Sequence, residues 1–108
     1  MFQCHANVYS AFQYNVRALR GERLLEYETS TTSDWASFCS HLRLKFALPV
    51  DSALNLGYKF YGRDPVRAPY IDLAGPEDFG VLLKKVVEIK QGTSKKATIV
   101  EVCDRVCD

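Results

Sequence analysis

Cys39 and His41 are the first pair in this sequence with the chemistry of a nucleophile and its base. They fall inside a helical pattern, where residues two apart point to nearly opposite sides. A thiol activated by a neighbouring imidazole needs the two in hydrogen-bond reach, and this spacing denies it. Cys39 instead shares the apolar stripe of that helix and reads as a small core residue. Cys103 and Cys107, with Cys4 and His5 at the other end of the chain, offer soft ligands for zinc. Their spacing is not that of a C-x₂-C knuckle, so the expectation is thiols without a metal. Glu77 and Asp78 fit the positive end of a helix better than paired acid–base work. Phosphate-binding glycine loops, G-x-S-x-G and H-E-x-x-H are all absent. The reading is therefore of a chain that is not an enzyme and carries neither cofactor nor metal.

Two groups of residues remain as binding candidates. Tyr61, Arg63, Arg67 and Tyr70 bracket the least regular stretch of the sequence, residues 61–69, which contains two prolines. Tyr and Arg combine large contact area with polar tips and are enriched at binding hot spots. Guanidinium groups take carboxylates in bidentate fashion, so an acidic segment of a partner protein is the natural complement. The second group is Lys84, Lys85, Lys90, Lys95 and Lys96, the densest basic region. It defines the alternative function, a nucleic-acid-binding accessory domain. Glu88 interrupts this run, and no aromatic ladder interleaves with the lysines.

The elements that hold these residues follow from periodicity. Residues 6–17 alternate, with Val8, Phe12, Tyr14 and Val16 on one side and Asn7, Gln13, Asn15 and Arg17 on the other, as in a half-buried strand. Gly21 supplies a turn, and residues 23–29 return as a second strand. A cluster of capping residues, 30–34, precedes Trp35, Phe38, Cys39, Leu42 and Phe46, which recur at helical spacing. Pro49 marks the end of this helix. Residues 53–60 and 70–73 read as two further strands. Gly75 and Pro76 open a second helix with Phe79, Leu82, Leu83 and Val86 as its apolar stripe and Gly92 near its end. Residues 97–102 make a last strand, and residues 103–108 a polar tail. The order is ββαββαβ. Two amphipathic helices covering one face of one mixed sheet satisfy every apolar stripe, an α+β arrangement. With the last strand beside the first, parallel and central, this is a β-grasp, and the chain then resembles a ubiquitin-like domain.

Over residues 54–87 the sequence resembles the PB1 family. Asn55-Leu56-Gly57-Tyr58-Lys59-Phe60 is similar to that family's third strand. Tyr70-Ile71-Asp72-Leu73 is similar to its fourth, and Pro76-Glu77-Asp78-Phe79 with Leu82-Leu83 to the acidic start of its second helix. The resemblance implies a protein-interaction module. It also implies front-to-back pairing, in which an acidic loop on one molecule meets a strand-one lysine on the next. This chain departs from both halves of that rule. Gly62-Arg63-Asp64-Pro65-Val66-Arg67 stands where the acidic cluster belongs, and the first strand holds no lysine, only Arg17 at its end. A monomer or weak dimer is expected rather than a long polymer.

Size and composition agree with one domain over residues 1–108. The 108 residues are too few for two cores, and 47% apolar with 25% charged residues is the balance of a globular chain. A net charge of +1 leaves electrostatic binding to local patches. No apolar run approaches the ~20 residues that span a bilayer. The start, Met1-Phe2-Gln3-Cys4-His5, lacks the basic and apolar regions of a secretory signal. With four cysteines, too few for a disulfide scaffold, this predicts an intracellular protein, cytoplasmic or nuclear. A complete small core with no reactive site makes a protein-interaction domain, an adaptor or scaffold, the leading reading.

Overall fold

In a computed structural model that describes residues 12–92 and 97–105, alternation in the first two strands decides which way the sheet faces. Strand β1 (Gln13–Arg20) buries Tyr14, Val16 and Ala18 and turns Asn15, Arg17 and Leu19 to the other side. Strand β2 (Arg23–Ser30) returns antiparallel to it through a two-residue turn that joins Arg20 to Arg23. Gly21 sits there at φ +60°, a left-handed position that a side chain would strain although space around it is open. β1 therefore extends three residues beyond the predicted end at Arg17. Ala18 is small and Arg20 is charged, so neither announces a strand, yet Ala18 is fully buried. Residues 6–11 of the predicted strand, with Val8, lie outside the described residues.

Helix α1 (Trp35–Lys45) starts where Asp34 accepts a 2.8 Å hydrogen bond from the Ser37 N–H. That bond holds the Asp34 carboxyl below the usual carboxylate range. Arg43 and Lys45 face the negative end of the helix. The helix stops before Pro49 can act: Ala47 turns left-handed at φ 56°, and Leu48 N–H bonds back to the Arg43 carbonyl at 2.8 Å. Strand β3 (Leu56–Phe60), strand β4 (Ile71–Leu73), helix α2 (Pro76–Gln91) and strand β5 (Ile99–Asp104) complete the order. β3 begins three residues later than expected.

The strand order is β2-β1-β5-β3-β4, with β1 and β5 parallel at the centre and every other pair antiparallel. Val100 and Val102 of β5 continue the buried face of Val16 and Ala18, and Tyr58 and Phe60 of β3 extend it. Phe38 and Leu42 from α1, Phe46 at its C-cap, and Phe79, Leu82 and Val86 from α2 close over that face in one cluster. Both helices thus cover one side of a mixed five-stranded sheet. This is the α+β β-grasp read from the sequence.

The last strand is shifted two residues from its predicted span, so Cys103 and Asp104 belong to the sheet and not to a tail. Asp104 is buried, accepts from the Asn55 N–H at 3.1 Å and pairs with Arg20 Nε at 3.0 Å. A polar residue type hides this role until the chain is folded. Residues 106–108 lie outside the described residues.

Trp35 is only half-buried, stacked on Phe38 with ring centroids 6.1 Å apart, whereas Phe38 and Phe79 meet at 4.8 Å inside the core. The ranking of aromatic anchors follows from this. Phe79→Ala should lower stability by about 3–5 kcal/mol through lost burial and a cavity. Trp35→Ala should cost clearly less, because the rim is already open to water. Urea unfolding of the two variants checks the order; equal losses would show that Trp35 is a core residue.

Candidate functional site

The face of the sheet away from the helices carries a row of charges in cross-strand register. Glu26 of β2 lies opposite Arg17 of β1, Arg17 beside Glu101 of β5, and Glu101 opposite Lys59 of β3. The signs alternate along the row, the arrangement that stabilises a sheet face. Arg17 is 3.4 Å from Glu26, and its Nε is 3.5 Å from Glu101. This second contact is an ion pair by distance without the alignment of a hydrogen bond. Lys59 Nζ lies 4.0 Å from the other oxygen of Glu101.

Glu101 is only 8% exposed despite standing on the outer face. Tyr70 is in direct contact with it. The Tyr70 hydroxyl donates to Glu101 Oε2, and Lys59 Nζ lies 4.7 Å from the centre of the Tyr70 ring. Burial, reinforced by the neighbouring Glu101 charge, pushes the Tyr70 phenol well above its ordinary range. Tyr61 stands on the other side, with the Arg17 guanidinium 4.7 Å from its ring centre. The tyrosines at the two ends of the β3–β4 connection are thereby seated on the charge row.

The connection itself, residues 61–70, is braced from both ends. Asp64 Oδ2 accepts from the Phe60 N–H at 2.8 Å, and the Asp64 N–H bonds the Phe60 carbonyl at 2.9 Å. Gly62 at φ +80° permits the bend between them. Lys59 Nζ then donates to the Val66 carbonyl at 2.7 Å and the Ala68 carbonyl at 3.3 Å. One lysine satisfies two loop carbonyls and faces Glu101. The stretch that reads as irregular is held from the sheet.

Of the predicted loop residues, Tyr61, Arg63 and Arg67 are exposed and Tyr70 is half-buried. Tyr61, Gly62, Arg63, Ala97 and Ile99 line a shallow depression. Lys84 and Lys85 are exposed on α2, and Lys90 is half-exposed. Glu88 follows Lys84 by four residues and Lys85 by three, which places a carboxylate beside both. Lys95, Lys96, Cys4, His5 and Cys107 lie outside the described residues. Cys39 is buried and its thiol pushed up by that burial, while the exposed His41 packs its ring 4.5 Å from Tyr27. The two side chains go separate ways. Among the described residues no group of three or more His, Cys, Asp or Glu could hold a metal ion, and no helix is long and apolar enough to cross a membrane.

Sequence reasoning missed Lys59, Glu101 and the true position of Arg17. Arg17 is not at a strand end but in mid-strand, beside β5. The signal was there in parity: Glu101 alternates with Val100 and Val102, and Lys59 with Tyr58 and Phe60. A lone charge in a buried-face alternation marks an outer-face position.

No protein-family model matches this sequence, and no curated protein matches it. Among solved structures, the cryo-EM structure of an AtNBR1-PB1 filament (L-type) superposes with a TM-score of 0.60 at 12% identity. The match covers 87% of this chain and 97% of that one. At this identity the likeness is one of fold: the chain has the ubiquitin-like β-grasp architecture of a PB1 domain.

The charge row makes a graded prediction. Glu101→Ala leaves Arg17 and Lys59 without their shared counter-charge and the Tyr70 hydroxyl without its acceptor in a largely buried site, and should cost about 2–4 kcal/mol. Glu26→Ala removes an acid whose side chain is 61% exposed and should cost under about 0.5 kcal/mol. Denaturant midpoints of the two variants test this, and a mild Glu101 variant would refute the row as a structural element.

Proposed function

We propose that this chain is a protein-interaction domain that works as an adaptor, and that its β3–β4 loop receives an acidic segment of a partner through Arg63 and Arg67. The observation that carries this reading is a loop braced by Lys59 and Asp64 that displays both arginines at the surface. Ordering a loop on binding costs conformational entropy, and a loop already tied to the sheet loses less. The PB1-like fold supports a protein as partner. The solved filament is a property of its own protein. Here the loop is basic where a front-to-back motif is acidic, so the proposal is a monomer or weak dimer. The proposal takes the 108 residues as one domain and places it inside the cell, in line with free thiols at Cys39 and Cys103.

Affinity purification of the wild-type chain and of an Arg63→Glu/Arg67→Glu variant, read by mass spectrometry, tests the loop. Partners captured by wild type in the presence of nuclease should be lost from the variant. The thermal midpoint should stay within a few degrees, since exposed loop charges add little stability. Unchanged capture by the double variant would overturn the loop assignment. Capture that vanishes with nuclease would favour nucleic acid at Lys84 and Lys85.

A further inference from the structure

The two edges of the sheet are β2 and β4. β4 has three residues and offers little to pair with, whereas β2 has eight. The phase of its hydrogen bonds follows from its end: Thr31 N–H bonds the Phe12 carbonyl at 2.9 Å, just beyond the Gln13–Ser30 pair. Antiparallel pairs alternate between bonded and non-bonded. Thr29, Tyr27, Leu25 and Arg23 therefore bond inward to β1. Asn15, whose own N–H bonds the Thr98 carbonyl on the β5 side at 2.9 Å, confirms the phase. The N–H and C=O groups of Leu24, Glu26 and Glu28 then point to the open side, and among the described residues none of them bonds another segment. The stretch is bounded at one end by Arg23, which ties to the Phe46 carbonyl, and at the other by the turn closing on Ser30.

We infer that this edge takes an extended basic segment of a partner protein as a sixth strand of the sheet. Charge selects the occupant. The side chains of Leu24, Glu26 and Glu28 all lie on the outer face and are exposed. Glu26 is half answered by Arg17, while Glu28 stands opposite Asn15 and has no ion-pair partner among the described residues. In the two registers of fullest overlap a second copy is disfavoured. Two-fold pairing centred on Glu26 sets that acid against itself, and pairing centred on Tyr27 sets Glu26 against Glu28 in both halves; like charges directly opposite destabilise a sheet. A strand with Lys or Arg at alternate positions meets the opposite situation. On the inner side of the edge, Lys45 lies 5.9 Å from the centre of the Tyr27 ring and His41 packs on the same ring. The partner's basic residues must therefore alternate with uncharged ones, so that cations face Glu26 and Glu28 and never Lys45. Backbone bonds supply affinity and this alternation supplies specificity.

The probe is the blocked peptide acetyl-TKTKVV-amide, which in antiparallel register sets its lysines against Glu28 and Glu26 and its last valine against Leu24. Amide NMR of the intact chain should show shifts and slowed exchange at Leu24, Glu26 and Glu28. Acetyl-TETEVV-amide should bind about tenfold more weakly at low salt, as two reversed cross-strand pairs imply. Glu28→Lys, which spares the Arg17–Glu26 pair, should narrow or reverse that preference while keeping a native spectrum. Methylating the peptide nitrogens that face β2 should abolish binding. The Arg63→Glu/Arg67→Glu variant should bind the peptide as wild type does, so this inference and the loop proposal fail separately. Shifts confined to the loop or α2, equal affinity for both peptides, no saturable binding at millimolar peptide, or wild-type dimers protecting the same three amides would each overturn it.

Discussion

The parallel pairing of β1 with β5 joins the first and last strands of the described residues, and most of what lies between depends on it. The β1–β2 hairpin and the β3–β4 pair are neighbours in the sheet only through β5. Arg20 and Asp104, 84 residues apart, close one end of that pairing at 3.0 Å, and Asp104 reaches from there to the Asn55 N–H. Loop-closure entropy over such a span must be met before the contact stabilises anything. Val100 and Val102 meet this requirement by completing the buried face under both helices. A strand that arrives last in sequence thus makes the two local units into one sheet.

The same strand supplies the centre of the outer face. Between two buried valines, Glu101 projects the other way into a position flanked by Arg17 and Lys59. Neither cation could be held there alone without an unanswered charge near apolar ground. Because the row alternates in sign, the middle of the outer face is electrostatically settled. The charges most open to solvent then lie at its margins: the arginines of the β3–β4 loop at one side and the glutamates of β2 at the other. A net charge of +1 conceals this separation, since opposite patches cancel in the sum.

Element types and order were legible because two periodicities, 2 for strands and 3.6 for helices, write burial directly into sequence. Stripes such as Phe38, Leu42 and Phe46 needed nothing more. What escaped has a common cause, dependence on a distant partner. Ala18 and Arg20 continue β1 because β5 pairs with them, not because of their own propensity. Trp35 carries the right spacing yet sits at the rim, since position along the helix and not periodicity decides what lies above its first turn. The loop looked irregular because its braces, Lys59 to the Val66 carbonyl and Asp64 to the Phe60 N–H, are side chain to backbone bonds that leave no periodic trace. Arg63 and Arg67 were visible as exposed cations; the reason they are held in place was not.

Gly57 shows how closely these layers are coupled. A Cβ built there would come within 2.7 Å of Tyr70 Cβ and 3.1 Å of the Arg105 guanidinium carbon. Its glycine is required by approach, not by a left-handed backbone, and both neighbours explain why the approach matters. Tyr70 must lie low over β3 for its hydroxyl to reach Glu101. Arg105 must cross the same spot to bond the Leu56 carbonyl at 2.8 Å and Asp72 at 3.0 Å, fastening the end of β5 across β3 to β4. A weak point for strand propensity is therefore the place where the roof of the charge row and the clasp of the last strand meet.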